Sequence, residues 1–374
     1  MSMSNKQQGF TLIELMIAVT LSLLLLTGVI QIFLSSKQSY RTAESLSRTQ
    51  ENSRYAIDAL SRDLRSAGFQ PCKKTGLLAN VVNGAPSSLN FFGAPLVGYD
   101  GSNGTFDSDF PAVGTTAGAR VAGADAVRII RGGGTGFSVD IHNATSAQFK
   151  LVGGTHNFVD GDIVLVCDSE NSSILQITNA NQTNVTIVHN NGTGTPGNCT
   201  KGLGFPVPSP CTANGTAKTY GPGSQIVSIE SFIYYLGISA SGNANSLYRK
   251  RLINSAGTPT LGNAEELVEG IESLQIVYGV APDPVSPAQR YVTADQLTGA
   301  TTAETEANWQ NVVSVRIGLL MVTPDEISAK DDTSTYNVVG TDIASSGSGL
   351  TYSSDRRQRY IFTSTVKLRN RGTL

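Results

Sequence analysis

Glu14 is the residue whose surroundings demand chemistry. It is the only ionisable side chain in the 25 residues from Phe10 to Leu34. A carboxylate inside so apolar a stretch is costly and normally has a partner or a function. The run begins directly at the candidate cleavage point, Gly9–Phe10. A secretory signal has an apolar region of only about 7–15 residues, followed by a small-residue cleavage site. Here the apolar run is longer and begins at the candidate cut instead of ending there.

The other reactive residue types form no catalytic constellation. His142, His156 and His189 are scattered among many serines, and nothing locates a nucleophile beside a base. No enzyme, cofactor or metal is expected. Cys72, Cys167, Cys199 and Cys211 are even in number, lie beyond the apolar run and contain no Cys-x-x-Cys pair. They read as disulfides of an oxidising compartment. Three pairings are possible; the favoured one closes the short Gly- and Pro-rich loop Cys199–Cys211 and leaves Cys72–Cys167 to tie the helix top to a sheet. Asp100–Asp109 is rich in oxygen ligands but has Ser102 and Gly104 where the third and fifth calcium ligands would fall, so it reads as a solvated loop. Arg131-Gly-Gly-Gly134 lacks the Lys-Ser/Thr of a phosphate-cradling loop and reads as a turn. Arg356, Arg357, Arg359, Lys367, Arg369 and Arg371 form a basic end. DNA contact is one reading of it; the preferred one is the exposed face of an edge strand, where charge deters aggregation.

A single helix positions Glu14. No proline interrupts residues 1–70, and Leu46, Gln50, Ser53, Ile57, Leu60, Leu64 and Ala67 recur at three and four, predicting one helical face. Glu44 with Arg48, and Asp58 with Arg62, support the outer surface as i,i+4 pairs. Gly68 and Pro71 end the helix. It is expected from about Phe10 to Ala67, with Ile57, Leu60 and Leu64 docking on a globular head. Residues 10–34, roughly 37 Å as helix, are long enough to cross a bilayer core of about 30 Å.

Beyond Gln70, Gly, Pro, Asn and Ser punctuate short apolar runs, predicting strands near 126–131, 162–168, 174–178, 185–188, 226–236, 246–252, 271–278, 311–322 and 360–368. Residues 97–124 read as a surface loop, 190–223 as a stapled loop, and 279–308 and 325–355 as polar inserts. The fold class is α+β: a long N-terminal helix packed on a β-rich head. The expected division is a leader at 1–9, a helix at 10–68 (membrane part 10–34, docking part 35–68) and a head at 69–374. Charged residues make up only 15 % of the chain and the net charge is −2, so neither nucleic acid nor an acidic membrane surface is an implied partner.

The stretch Gly9-Phe10-Thr11-Leu12-Ile13-Glu14-Leu15 and its apolar run resemble the class III signal of type IV pilins and pseudopilins. The resemblance implies that a prepilin peptidase cuts after Gly9, that Phe10 becomes the N-methylated first residue, and that Glu14 serves assembly. Cleavage would create an amine at Phe10, and in low dielectric the Glu14 of one subunit can neutralise the amine of its neighbour. Residues 50–68, 266–278 and 313–319, with the Arg-rich final strand, resemble the PilW family of minor pilins. This implies a low-abundance subunit that initiates or caps a pilus and supports twitching motility, adhesion or DNA uptake. Its implied partners are other minor pilins, the major pilin, the prepilin peptidase and the inner-membrane assembly platform. The implied location is a single inner-membrane span with a periplasmic head before assembly, and the pilus, at its tip, afterwards. A minor pseudopilin of type II secretion shares the same features, and a tip adhesin or DNA receptor is the alternative from the binding class.

Overall fold

The computed structural model describes residues 10–72, 77–84, 94–242, 244–283 and 286–370. The leader and Gly9 lie outside the described residues, as does Arg371. Helix α1 runs from Leu12 to Ser66, 55 residues or about 82 Å. Thr11 caps its start and Glu14 reciprocates, a capping box that satisfies first-turn amides. At the other end Gly68 takes a φ of +69°, and its amide donates to the Ile130 carbonyl at 2.8 Å. Glycine alone adopts that angle without strain.

Every residue from Phe10 to Arg41 is exposed, and this part of α1 is long and apolar enough to cross a membrane. The head grips the remainder. The buried stripe is Ser45, Thr49, Ser53, Ala56, Leu60, Asp63, Leu64 and Ala67. It is rotated from the predicted face: Gln50 is exposed and Leu46 and Ile57 are only half-buried. Small side chains let the helix backbone approach the sheet. Their hydroxyls are satisfied locally, Thr49 donating to the Ser45 carbonyl and Ser53 to that of Gln50, both at 2.8 Å.

The first twelve strands form one branched sheet. They are β1 (Leu77–Asn80), β2 (Leu96–Tyr99), β3 (Ala126–Asn143), β4 (Gln148–Leu151), β5 (Ile163–Cys167) and β6 (Asn171–Gln176). Then come β7 (Asn179–Asn181), β8 (Thr186–Val188), β9 (Gln225–Ile238), β10 (Asn245–Ser255), β11 (Thr258–Leu261) and β12 (Glu265–Glu269). The chain continues through β13 (Ile271–Val280), β14 (Arg290–Val292), helix α2 (Thr302–Gln310) and β15 (Val312–Val322). It ends with β16 (Tyr336–Val338), β17 (Thr341–Ala344), β18 (Leu350–Thr351) and β19 (Arg359–Lys367). A second sheet has the order β14-β13-β15-β19, and β16-β17-β18 form a third.

Two long strands divide the head into halves. β9 pairs with β3 along most of its length, with β5 near its start and with β10 near its end. β3 pairs with β2 at its start and β4 at its end. The β3–β9 register shifts between Gly132 and Gly136, where the strands pass from one half to the other. On the helix side, Leu60 and Leu64 of α1 share a core with Ile129, Tyr234, Leu274 and Ile317. The second half is built around Val139, Phe149, Phe158, Leu175, Ile187 and Tyr220, and α1 contributes nothing to that core.

Several expectations are corrected here. Arg131-Gly-Gly-Gly134 is no turn but the middle of β3; a Cβ on Gly132 would come within 3.0 Å of the Phe69 carbonyl oxygen. Residues 97–124 are not simply a surface loop, since they begin in β2 and bury Phe110 against Tyr99. The insert at 325–355 folds as β16–β18 over Leu320. That at 279–308 supplies β14 and α2, whose Trp309 packs edge-on to Tyr278 at 4.8 Å. The short strands β2, β14 and β16–β18 carry too few side chains to show a period, whereas in β3 the three glycines mark a shift of register, not a turn.

Candidate functional site

The expected assembly residues lie at the free end of α1. Phe10 is almost fully exposed, and Glu14 is the third residue of the helix. The Glu14 carboxylate accepts the Thr11 amide at 3.0 Å and the Thr11 hydroxyl at 2.9 Å. A carboxylate there answers the unsatisfied amides and the positive end of the helix dipole. The same position presents it toward whatever cationic group approaches that end.

Sequence reasoning missed the clamp at the other end. Asp63 is buried on the docking stripe, accepting the Tyr234 hydroxyl at 2.5 Å and an Arg131 guanidinium N–H at 3.0 Å. Arg131 also donates to Ser66 at 2.6 Å and to Glu230 at 2.7 Å, and its guanidinium lies 4.9 Å from the Phe232 ring centroid. One arginine thus ties two side chains of α1 to β3 and β9. An acid on an otherwise uncharged stripe was the only sequence signal. Gln38, Asn52 and Asn370 add side-chain bonds to the carbonyls of Ile327, Glu269 and Ala67. The grip therefore begins only a few residues past the membrane-type run.

Cys72 is bonded to Cys167 and Cys199 to Cys211. The first bond fastens the chain just beyond α1 to the end of β5. The second closes the loop that follows β8. This loop is anchored beneath by Gln176, which receives the Gly197 amide at 2.6 Å and donates to the Thr195 carbonyl at 2.8 Å. Beside it, His142 and His189 meet Nε2 to Nε2 at 3.2 Å under the Phe149 ring. Burial pushes the His142 pKa down to about 4 and, with His142 adjacent, that of His189 to about 3. The third histidine, His156, lies apart, near Phe137 and the Asn181 carbonyl.

The basic end is largely neutralised within the head, which corrects the expected exposed row of charges. Arg359 is buried, with Asp355 at 3.0 Å, Asp332 at 3.4 Å and Glu272 at 3.5 Å, and it stacks over Tyr352. Burial works against its charge, yet the three acids outweigh it and raise its pKa. Arg357 pairs with Asp355 and Arg356 with Glu326; Lys367 and Arg369 are exposed. In the oxygen-rich loop, Asp100 accepts the amides of Ser102 and Asn103, and Asp107 accepts Tyr99 and Arg128. Among the described residues, no group of three or more His, Cys, Asp and Glu is placed to hold a metal ion.

Two family models match the chain. The prokaryotic N-terminal methylation motif matches residues 4–30, and the Type IV Pilus-assembly protein W model, PilW, matches residues 233–370. The chain carries a PilW domain behind a pilin-type methylation motif. Both matches agree with the resemblance read from the sequence. No curated protein and no solved structure matches the chain. The PilW match begins in β9 and contains β10–β19, so it takes in the β15–β19 surface on which α1 docks. Strands β4–β8 and the disulfide-closed loop lie wholly outside it. Together the two matches support a type IV pilus-related protein of the minor-pilin kind.

Proposed function

We propose that this protein is a minor type IV pilin that helps initiate or cap the pilus. In this reading a prepilin peptidase removes residues 1–9, cutting between Gly9 and Phe10, and the new amino terminus is methylated. Residues 10–34 hold the subunit in the inner membrane and then pack into the filament; residues 35–68 carry the head, residues 69–374. The observation that carries the reading is the division of labour along α1. Residues 10–34 are apolar and exposed throughout, while the second half is clamped through Asp63 and a stripe of small residues. A helix built only to anchor an exported domain has no need of Glu14 in that exposed run.

The partners follow from the same reading: other minor pilins, the major pilin and the assembly platform. The half of the head outside the PilW match, built by β4–β8 and the disulfide-closed loop, is the surface displayed at the tip. Adhesion or DNA uptake would act through it, since exposed loops on a rigid scaffold are where recognition sits. The rival within the same class is a minor pseudopilin of type II secretion; the PilW match favours the pilus. Deleting the gene and scoring surface pili beside secreted enzymes decides between them. Loss of piliation with normal secretion is expected, and lost secretion with normal piliation would overturn the proposal.

A further inference from the structure

Natural sheets blunt their edges, because an open strand edge templates pairing with another chain. Among the described residues, most edge strands follow the rule. The strands β1, β2, β7, β11, β12, β14, β16 and β18 each have a neighbour on one side only, and each is two to five residues long. β19 also has one neighbour, β15, but is nine residues long. The basic residues expected to protect it stand at its ends, and Tyr360–Val366 carries no charge.

The hydrogen-bond parity of β19 fixes which backbone groups are open. The Leu368 amide donates to the Val313 carbonyl, and the Thr323 amide to the Gln358 carbonyl. Both pairs continue the β15–β19 register. Hydrogen-bonded pairs alternate along an antiparallel ladder, so even-numbered residues bond β15. Ile361, Thr363 and Thr365 therefore point their N–H and C=O groups away from it. No other described residue bonds these groups, and all three residues are exposed. Alongside lies a groove of about 860 Å³ between α1 and β19, lined by Tyr55, Ile57, Arg65, Phe362 and Ser364 among others.

We infer that the open edge of β19 is a pairing site for an extended segment of another pilin-type subunit, which adds a strand to the second sheet. Only an extended chain matches the row of donors and acceptors, and alternate residues of that chain would face the groove. The groove offers them both an apolar strip, Tyr55, Ile57 and Phe362, and charged partners in Glu51, Arg54, Asp58 and Arg65. The β19 edge of a second copy does not fit. Antiparallel pairing of two β19 edges places a two-fold axis perpendicular to the sheet, which reverses every direction lying in the sheet. The two α1 helices, packed across β15 and β19, would then run in opposite senses and could not share one membrane or one filament direction.

The inference rests on the minor-pilin reading, and its test separates the two. The full chain is extracted in detergent from cells expressing their own pilus, and co-isolated subunits with a pilin-type amino terminus are identified by mass spectrometry. Thr363→Pro removes an outward donor, which an edge strand tolerates, and Thr363→Lys places a charge on the open edge. Each should lower the co-isolated subunit about tenfold or more with the thermal midpoint unchanged. Thr351→Lys, on the short edge β18, should keep it. In the assembled protein the amides of Ile361, Thr363 and Thr365 should exchange more slowly than in the isolated chain. Co-isolation undiminished in both Thr363 variants, or equal exchange in the two states, overturns the edge site while leaving the pilin reading intact. A Thr363→Cys disulfide dimer of this chain in place of a mixed product overturns the choice of partner. Failure of the unaltered chain to co-isolate any such subunit overturns both.

Discussion

Acid should loosen the second half of the head, and the two buried histidines set how much. Tyr220 donates its amide to His142 Nδ1 at 3.1 Å, so the proton of His142 lies on Nε2. That proton points at His189 Nε2, which must be bare, leaving the His189 proton on a buried Nδ1 without a partner among the described residues. A further proton on either ring has nowhere to go: it meets the Tyr220 amide on one ring and the His142 proton on the other. Both pKa values are depressed from 6.5, to about 4 and about 3. The unfolded chain therefore binds protons first. Stability is full above pH 6.5, falls as the pH drops below it, and stops falling near pH 3. At pH 5 an unfolded histidine with a pKa of 6.5 gains about 2 kcal/mol by protonation, so His189 costs that much and His142 up to the same again. Urea unfolding of the detergent-solubilised chain by circular dichroism, at pH 7 and pH 5, measures the loss. His189→Gln keeps an acceptor for His142 Nε2 and removes one titration, so it should recover about 2 kcal/mol of that pH-dependent loss. Carboxylates elsewhere titrate in both proteins and cancel. An identical pH dependence in the two would refute the reasoning.

Two further perturbations probe the helix-side half. Asp63→Ala strands Arg131 and the Tyr234 hydroxyl beneath α1 and should cost about 3 kcal/mol in the same urea assay, with proteolysis appearing between residues 35 and 68; a loss under about 1 kcal/mol would mean that the clamp is not needed. Tyr278→Phe removes a fully buried hydroxyl without a partner among the described residues and should leave stability unchanged or raise it by up to about 1 kcal/mol, whereas a clear loss would reveal an unseen partner.

What the sequence disclosed follows from how much each element depends on its own residues. α1 was legible almost to its ends because a long proline-free run, its pattern and Gly68 are all local. Its docking face was read slightly off, because apolar periodicity rewards Leu46 and Ile57 and overlooks Ser45, Thr49 and Ser53. Those small hydroxyl residues are buried to let the helix come close, and they bond their own backbone. The long strands β9, β13 and β15 were legible from their apolar runs. β16–β18 were not, and neither was the passage of β3 through three glycines, where a shift in register replaces the expected turn. The Asp63–Arg131 clamp joins residues 68 apart and the histidine pair residues 47 apart. Neither leaves a pattern in the chain, since each exists only once the sheet has brought its parts together.

The central claim, that this chain is cut and then assembled as a pilin, is tested most directly by the size and the filament content of the membrane-held protein in two variants. A side chain at residue 9 should obstruct the peptidase's approach to the backbone, so Gly9→Leu should accumulate at precursor size, still carrying Lys6. Glu14→Val should be cut normally, its defect appearing as reduced incorporation into sheared pili, because a neighbour's terminal amine would then be buried without a counter-charge. A mature-sized band from Gly9→Leu, or a precursor-sized band from Glu14→Val, would contradict the account.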